Sequence, residues 1–308
     1  MTSSAIEVAG LRKAYGDKVV LDGIDFDVRQ GGIFSLLGPN GAGKTTTVNV
    51  LTTLTKADGG TVRVAGHDVA ADAKAVRAAI GVTGQFAAVD DLLTGQENLQ
   101  LMVDLKGGGR RVVAELLERF ELAEAARKPV STYSGGMRRK LDLAMTLVGA
   151  PRIIFLDEPT TGLDPRSRRT MWTIIRELVA DGVTIFLTTQ YLEEADQLAD
   201  RIAVLDRGRL VAQGTPDELK SRLPGTHVRL RFADTADLDA AARLFAGSAR
   251  DDEGLALRVP SDGGTKSLRG LLDRLDEHSL NAEAFSVHTP DLDDVFLALT
   301  GRTAEDAK

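Results

Sequence analysis

The stretch Ile33–Thr46 reads IFSLLGPNGAGKTT, and the fold of the chain follows from it. Ile33, Phe34, Leu36 and Leu37 form an apolar run that predicts a buried strand ending at Gly38. From Gly38 to Thr45 the spacing is glycine, four variable residues, glycine, lysine, threonine, the pattern of a nucleotide phosphate loop. The loop of Gly38, Pro39, Asn40, Gly41, Ala42 and Gly43 can curl tightly enough for its N–H groups to face α- and β-phosphates. Lys44 then reaches the β/γ-phosphates, and the Thr45 hydroxyl is a ligand for Mg²⁺. A helix that runs on through Thr46 adds its positive end to the same anion site. The bland alternative is a glycine loop that only links strand to helix; a strand before and a helix after the motif argue against it.

Composition narrows the class. The chain has 308 residues, room for one large domain and a small one. Its 38 Lys+Arg stand against 45 Asp+Glu, a net charge of -7, which makes nucleic acid a poor partner. There is no cysteine, so disulfides and thiolate-held metals are excluded. The opening MTSSAIEVAG has no basic segment followed by an apolar one, so no signal peptide is expected. No apolar run approaches the roughly 18 residues of a spanning helix, so no direct membrane span is expected. A cytoplasmic protein is expected, with docking on a membrane protein left open because docking needs only a patch.

Along the chain, strands are predicted at Ala5–Val8 and Val19–Phe26, with Tyr15 in the turn between them. After the phosphate loop come a helix over Thr46–Leu54, a strand at Gly59–Val64, a helix at Ala73–Ala79 and a strand at Ile80–Thr83. Residues 90–127 have helical spacing broken by Gly107, Gly108 and Gly109, which predicts an inserted helical subdomain. A helix over Met137–Leu147, a strand at Ile153–Leu156, a helix at Arg166–Val179, a strand at Thr184–Thr188 and a helix at Leu192–Ala199 follow. A hairpin around Arg207 and Gly208 closes the domain, whose alternation predicts a largely parallel sheet. The pattern restarts near Val228 as a small α/β domain without phosphate loops or a catalytic cluster, suited to interaction or regulation.

The chemistry gathers at strand ends. Asp157 and Glu158 follow an apolar strand where the sheet opens to the loop, and a buried acidic pair needs a cation or hydrogen bonds. Mg²⁺ held by Asp157 and Thr45 supplies that, leaving Glu158 to act as general base or to orient water. The alternative is that both carboxylates cap the turn at Pro159–Gly162. Gln85 also follows a strand, and its amide can contact Mg²⁺ or the attacking water. Ser134, Gly135 and Gly136 precede a helix whose first turns carry Arg138, Arg139 and Lys140, a plausible phosphate contact, although an ordinary cap accounts for Ser134 alone. Asp164 before Pro165 can be a helix cap, and Tyr15 either packs or stacks on a base.

Taken together, these residues closely resemble the nucleotide-binding subunit of an ATP-binding-cassette transporter. Gly38–Thr45 corresponds to the Walker A motif, Ser134–Met137 to the signature within YSGGM, and Ile153–Glu158 to Walker B. Gln85 corresponds to the Q-loop, Gly162–Asp164 to the D-loop, and Tyr15 to the aromatic that stacks on adenine, all in the family's order between Ile6 and Pro216. The resemblance implies a P-loop ATPase domain over 1–217 with a mostly parallel sheet, an antiparallel β subdomain and a helical subdomain at about 88–130. A linker at 218–225, an accessory domain at 226–302 and a tail at 303–308 complete the expected layout.

It further implies ATP and Mg²⁺ as ligands, a homodimer in which Ser134 and Gly136 serve the partner's nucleotide, and an integral-membrane permease as partner at the cytoplasmic face. One residue departs from the family. Where most members have a γ-phosphate-contacting histidine, this chain has Gln190 in LTTQYLEEADQLADRI; it can donate a hydrogen bond but cannot titrate near neutral pH. Slower hydrolysis is the simple expectation. Gln190, YSGGMRRKLDLA and the run TPDLDDVFLALTG resemble the daunorubicin/doxorubicin-resistance type of exporter ATPase from actinobacteria. An ATPase powering export of an amphiphilic drug, lipid or secondary metabolite is therefore expected; an importer subunit, a weakly hydrolysing nucleotide-gated module and a soluble cassette acting on nucleic acid are the alternatives.

Overall fold

The computed structural model describes residues 4–84, 87–107, 109–221, 226–262, 264–288 and 291–300. Contacts divide the chain into two units, the first ending at Pro216 and the second beginning at Asp217. The first unit opens with β1 (Ser4–Tyr15) and β2 (Lys18–Arg29), an antiparallel pair of 12-residue strands. Both are longer than the sequence predicts, because register shifts between Val8 and Leu11 and between Lys13 and Ala14 interrupt the period-two pattern that marks a strand. Tyr15 accordingly closes β1 opposite Lys18 and does not stand in the turn.

β3 (Ile33–Leu37) leads into α1 (Lys44–Leu51), which starts as expected near Gly43, its N-cap at φ 114°, and ends three residues short of the predicted Leu54. β4 (Gly59–Val64) and β5 (His67–Asp68) complete an antiparallel sheet of order β2-β1-β4-β5. After α2 (Ala73–Ala79) and β6 (Ile80–Thr83) the chain enters the helical subdomain, α3 (Gly95–Lys106) and α4 (Arg110–Arg119). Thr94 opens α3 with a capping box, accepting from the Glu97 N–H while Glu97 accepts from the Thr94 N–H. α5 (Gly135–Leu147), β7 (Ile153–Asp157), α6 (Pro165–Ala180), β8 (Thr184–Thr189), α7 (Leu192–Leu198), β9 (Arg201–Asp206) and β10 (Arg209–Gly214) follow.

The second sheet has the order β10-β9-β3-β8-β7-β6, parallel throughout except for β10, which returns antiparallel beside β9. Its middle strands are buried on both faces, which is why they read as unbroken apolar runs. Phe34, Phe155 and Phe186 turn to one face, where Phe26 of the antiparallel sheet stacks on Phe34 at 5.2 Å between ring centres. Ile33, Ile154, Leu156, Ile185 and Leu187 turn to the other and pack with Leu141, Ile175 and Leu178 of α5 and α6.

α8 (Pro216–Lys220) spans the division between units, so helix occupies the first part of the expected linker. The second unit contains β11 (His227–Phe232), α9 (Thr235–Leu244), β12 (Ala249–Asp251), β13 (Ala256–Pro260), α10 (Thr265–Glu277), β14 (Ala282–His288) and α11 (Leu292–Thr300). Its sheet has the order β12-β13-β11-β14 with every pair antiparallel, a ferredoxin-like split arrangement followed by one more helix. Val228, Leu230 and Phe232 face Leu238, Phe245, Leu271 and Leu275 to form its core.

Candidate functional site

Strand register decides which residues meet. Leu37 lies opposite Thr189 and Asp157 opposite Thr188, so the carboxyl ends of β3, β7 and β8 finish side by side. That is where ligands bind in parallel α/β sheets. The Gly38 N–H donates to the Thr189 carbonyl at 3.2 Å, which fixes the start of the phosphate loop beside the end of β8. A cleft of about 670 Å³ opens there, lined by Tyr15, Asn40, Gly41, Gly43, Lys44, Thr45, Thr46 and Glu158.

The loop needs its glycines. A Cβ on Gly38 would collide with the Leu205 carbonyl oxygen, and Gly43 takes a positive φ against Leu21 and Val20. No side chain caps α1, so its first N–H groups are left for a ligand. The ammonium of Lys44, only 5% exposed, donates to the Gly38 and Pro39 carbonyls at 2.8 and 3.2 Å and lies 3.2 Å from Glu158 Oε1. Asp157 is buried, and its Oδ1 accepts from the Thr188 hydroxyl at 2.5 Å. Glu158 has φ 50°, an uncommon left-handed conformation for a non-glycine residue. Its N–H donates to the Thr188 carbonyl at 3.1 Å, and the Thr161 hydroxyl donates to its Oε2 at 3.3 Å. A cation, an anion-binding loop and a carboxylate thus share one cleft, the set that phosphoryl transfer requires.

Gln190, Ser134, Gly135 and Asp164 are not part of the cleft lining. Gln85 lies outside the described residues. Gln190 follows β8 directly, one residue past the Thr189 that holds Gly38. Ser134 and Gly135 are exposed at the start of α5, outside the cleft lining, and Ser134 accepts from the Met137 N–H as an N-cap. α5 therefore begins at Gly135, two residues before the predicted Met137. Asp164 caps α6, accepting from the Arg166 and Ser167 N–H groups and the Ser167 hydroxyl.

The basic triplet of α5 has its partners within the chain. Arg138 pairs with Asp91 at 3.0 Å, Lys140 pairs with Glu121 at 2.6 Å, and Arg139 turns inward to backbone carbonyls. Intrachain carboxylates and carbonyls thus provide the anionic partners that the helix dipole requires.

Sequence reasoning missed the far wall of the cleft, formed by Lys18, Val19, Val20, Arg207 and Gly208. Gly208 donates its N–H to the Ala42 carbonyl at 3.1 Å, tying the β9–β10 turn to the phosphate loop. A second omission is Glu194, fully buried in α7, whose Oε1 accepts from Thr160 at 2.8 Å and from the Trp172 indole at 3.1 Å. Burial pushes its carboxyl above the usual carboxylate range, against hydrogen bonds from Thr189, Thr160 and Trp172.

The ABC transporter family pattern matches residues 21–161. Over 307 residues the chain is 50% identical to the daunorubicin resistance ATP-binding protein DrrA3 of Streptomyces coeruleorubidus, an alignment that covers 98% of this chain and 97% of the relative. The chain belongs to the ABC transporter family. It is also 40% identical over 314 residues to the Nod factor export ATP-binding protein I of Ralstonia nicotianae, covering 98% of this chain and 95% of that one. A solved ATP-binding cassette, dimeric in a post-hydrolysis state with ADP and Pi, superimposes with a TM-score of 0.62 at 25% identity, across 68% of this chain and 98% of that one. As an ABC ATP-binding subunit the chain is an ATPase, of a class that dimerises and works with membrane permeases. Among the described residues no helix is long and apolar enough to cross a membrane.

Proposed function

We propose that this ABC ATPase binds Mg·ATP as a homodimer and drives export of an amphiphilic drug, lipid or secondary metabolite through a separate permease, working at the cytoplasmic face of the membrane. The observation that carries the reading is the division of the nucleotide machinery. Lys44, Thr45 and Glu158 line the cleft, while Ser134 and Gly135 are exposed at the head of α5 outside it. Half-sites of this kind become whole when the exposed Ser134 and the half-buried Gly136 of one copy close over the ATP held by the other. One relative is named for Nod factor export and another for daunorubicin resistance, which expulsion of the drug would produce; the named compounds differ, so the cargo here is given only by class.

The residues fit the ligand. Tyr15, half exposed at the cleft rim, offers a face for adenine, and Lys44 with the uncapped N–H groups of α1 receives the phosphates. Thr45 and Asp157, with Gln85 as a further ligand, would hold Mg²⁺, which neutralises charge on the β- and γ-oxygens when bound. Glu158 is the base that orients or deprotonates water, and its pairing with Lys44 keeps the carboxylate directed at the cleft. Gln190 stands where a hydrogen-bond donor meets the γ-phosphate, and Asp164 at the head of α6 belongs to the surface that the second copy meets.

The test is ATP turnover by the chain with its permease in vesicles, against Glu158→Gln, together with uptake of a panel of amphiphilic cations into inside-out vesicles. Turnover well above the variant and ATP-dependent uptake are expected. Turnover equal to the variant would instead favour the nucleotide-gated module that Gln190 suggests.

A further inference from the structure

Arg139 stands in α5, five residues beyond Ser134, and is 8% exposed. Its guanidinium donates to the Gly84 carbonyl at 2.7 Å, the Pro159 carbonyl at 3.0 Å, the Asp157 carbonyl at 3.1 Å and Asp142 Oδ2 at 3.3 Å. Asp142, one turn further along and 3% exposed, accepts the Ala88 N–H on its other oxygen at 2.9 Å. Two side chains of one helix therefore grip both flanks of Glu158, at 157 and 159, together with the Gly84 carbonyl and the Ala88 N–H.

A buried ion pair is weak evidence for a stability device, since well-packed apolar residues often serve as well. What a planar guanidinium does better than any other side chain is hold several acceptors from different elements in fixed relative positions. The elements joined here are the ends of β6 and β7 and the helix headed by Ser134. We propose that Arg139 and Asp142 form a positioning clamp that sets Glu158 against the cleft and makes its placement depend on α5 and on the backbone at Gly84 and Ala88. Neither residue lines the cleft, so neither is a catalytic residue. A shift of α5, or of the backbone at Gly84 or Ala88, imposed from outside would move the backbone on either side of Glu158 through the two hydrogen bonds from Arg139 to the Asp157 and Pro159 carbonyls. The inference rests on the reading that Glu158 serves hydrolysis.

Arg139→Lys in the full chain tests this, because lysine keeps a cation beside Asp142 but lacks the planar fork. Three quantities are measured: steady-state ATP turnover, binding of a fluorescent N-methylanthraniloyl ATP, and amide hydrogen exchange. A fall in kcat of about tenfold is expected, with KM and analogue affinity changed less than about twofold, since Lys44 and the phosphate loop are untouched. Exchange should accelerate by about tenfold at the Ala88 N–H and in the peptide over 157–161, and not elsewhere in the unit. The double change Arg139→Met with Asp142→Leu, which removes both members of the ion pair, should reproduce the pattern. A folded variant with wild-type kcat overturns the clamp, and so does acceleration spread evenly over the unit. If wild-type turnover equals that of Glu158→Gln, the ATPase reading fails separately. The exchange pattern then decides alone: local acceleration supports the clamp and its absence overturns it.

Discussion

Gly208→Ala isolates the bracing of the phosphate loop by the β9–β10 turn. Gly208 has φ 78°, and a Cβ there would lie closer than 3.0 Å to the Val20 carbonyl oxygen, a backbone atom that no rotamer change can move aside. Its N–H donates to the Ala42 carbonyl at 3.1 Å, and its carbonyl accepts the Asp22 N–H at 2.9 Å. Alanine in the left-handed region costs about 1 kcal/mol. Moving the turn to relieve the collision sacrifices both hydrogen bonds, about 1 kcal/mol each. The expected loss is therefore about 3 kcal/mol, a fall in melting temperature of about 6–12 °C for a unit of this size.

Gly16→Ala is the matched control, with φ 57° but nothing within 4 Å of the added Cβ. It should lose only the backbone component, about 1 kcal/mol. Because Arg207 and Gly208 line the cleft, the Gly208 variant should also bind a fluorescent ATP analogue more weakly. Thermal melts and analogue titrations of the two variants give the answer directly. Equal melting temperatures for the pair, with unchanged analogue binding, would refute the claim that the turn braces the loop.

Three further outcomes are expected. Glu194→Gln keeps the Oε1 acceptor used by Thr160 and Trp172 and should be neutral or stabilising at about pH 8, where the buried carboxyl would otherwise be driven to ionise. Glu194→Ala should cost about 2–4 kcal/mol by leaving the buried Thr160 and Trp172 donors, among others, unmet, and chemical denaturation of both variants checks this. Burial, with His288 and Arg258 beside it, holds the His227 ring below its ordinary pKa of about 6.5, against the carboxylate of Asp294. The unfolded chain then binds that proton more readily, so this contribution is complete above about pH 6.5 and is lost as pH falls towards the lowered value. Melts of the full chain between about pH 5.5 and 7.5 should show a smaller pH dependence in the second unit for His227→Gln than for wild type. Gln190→His should raise ATP turnover and introduce an acid limb near the ordinary histidine pKa; an unchanged rate and pH profile would remove Gln190 from the site.

Much of the fold was legible because its signals are local. β3, β7 and β8 are buried on both faces and therefore appear as unbroken apolar runs, and α2, β4 and β6 begin and end where their sequence patterns do. Elements were lost where the period is broken. The bulged hairpin of β1 and β2 shifts register several times, and the three-residue β12 is too short to show alternation. The capping box at Thr94 and Glu97 was present in the letters TGQE and marks the start of α3 as clearly as the apolar spacing does.

The candidate site divides along the same line. Lys44, Thr45 and Glu158 belong to motifs read within a few residues, and the structure brings all three to one cleft. Arg139, Gly208 and Glu194 act through partners tens to hundreds of residues away: Gly84 and Pro159, Val20 and Ala42, Thr160 and Trp172. Nothing near Arg139 in sequence separates it from Arg138 and Lys140, which make surface ion pairs. The difference is one of helix face: a step of one residue is about 100° of rotation, enough to turn the guanidinium from solvent into the interior. A motif can therefore name the groups that touch phosphate, because their spacing is set by the ligand. The groups that hold those residues in place are set by the packing of distant strands and helices, and only the assembled fold identifies them.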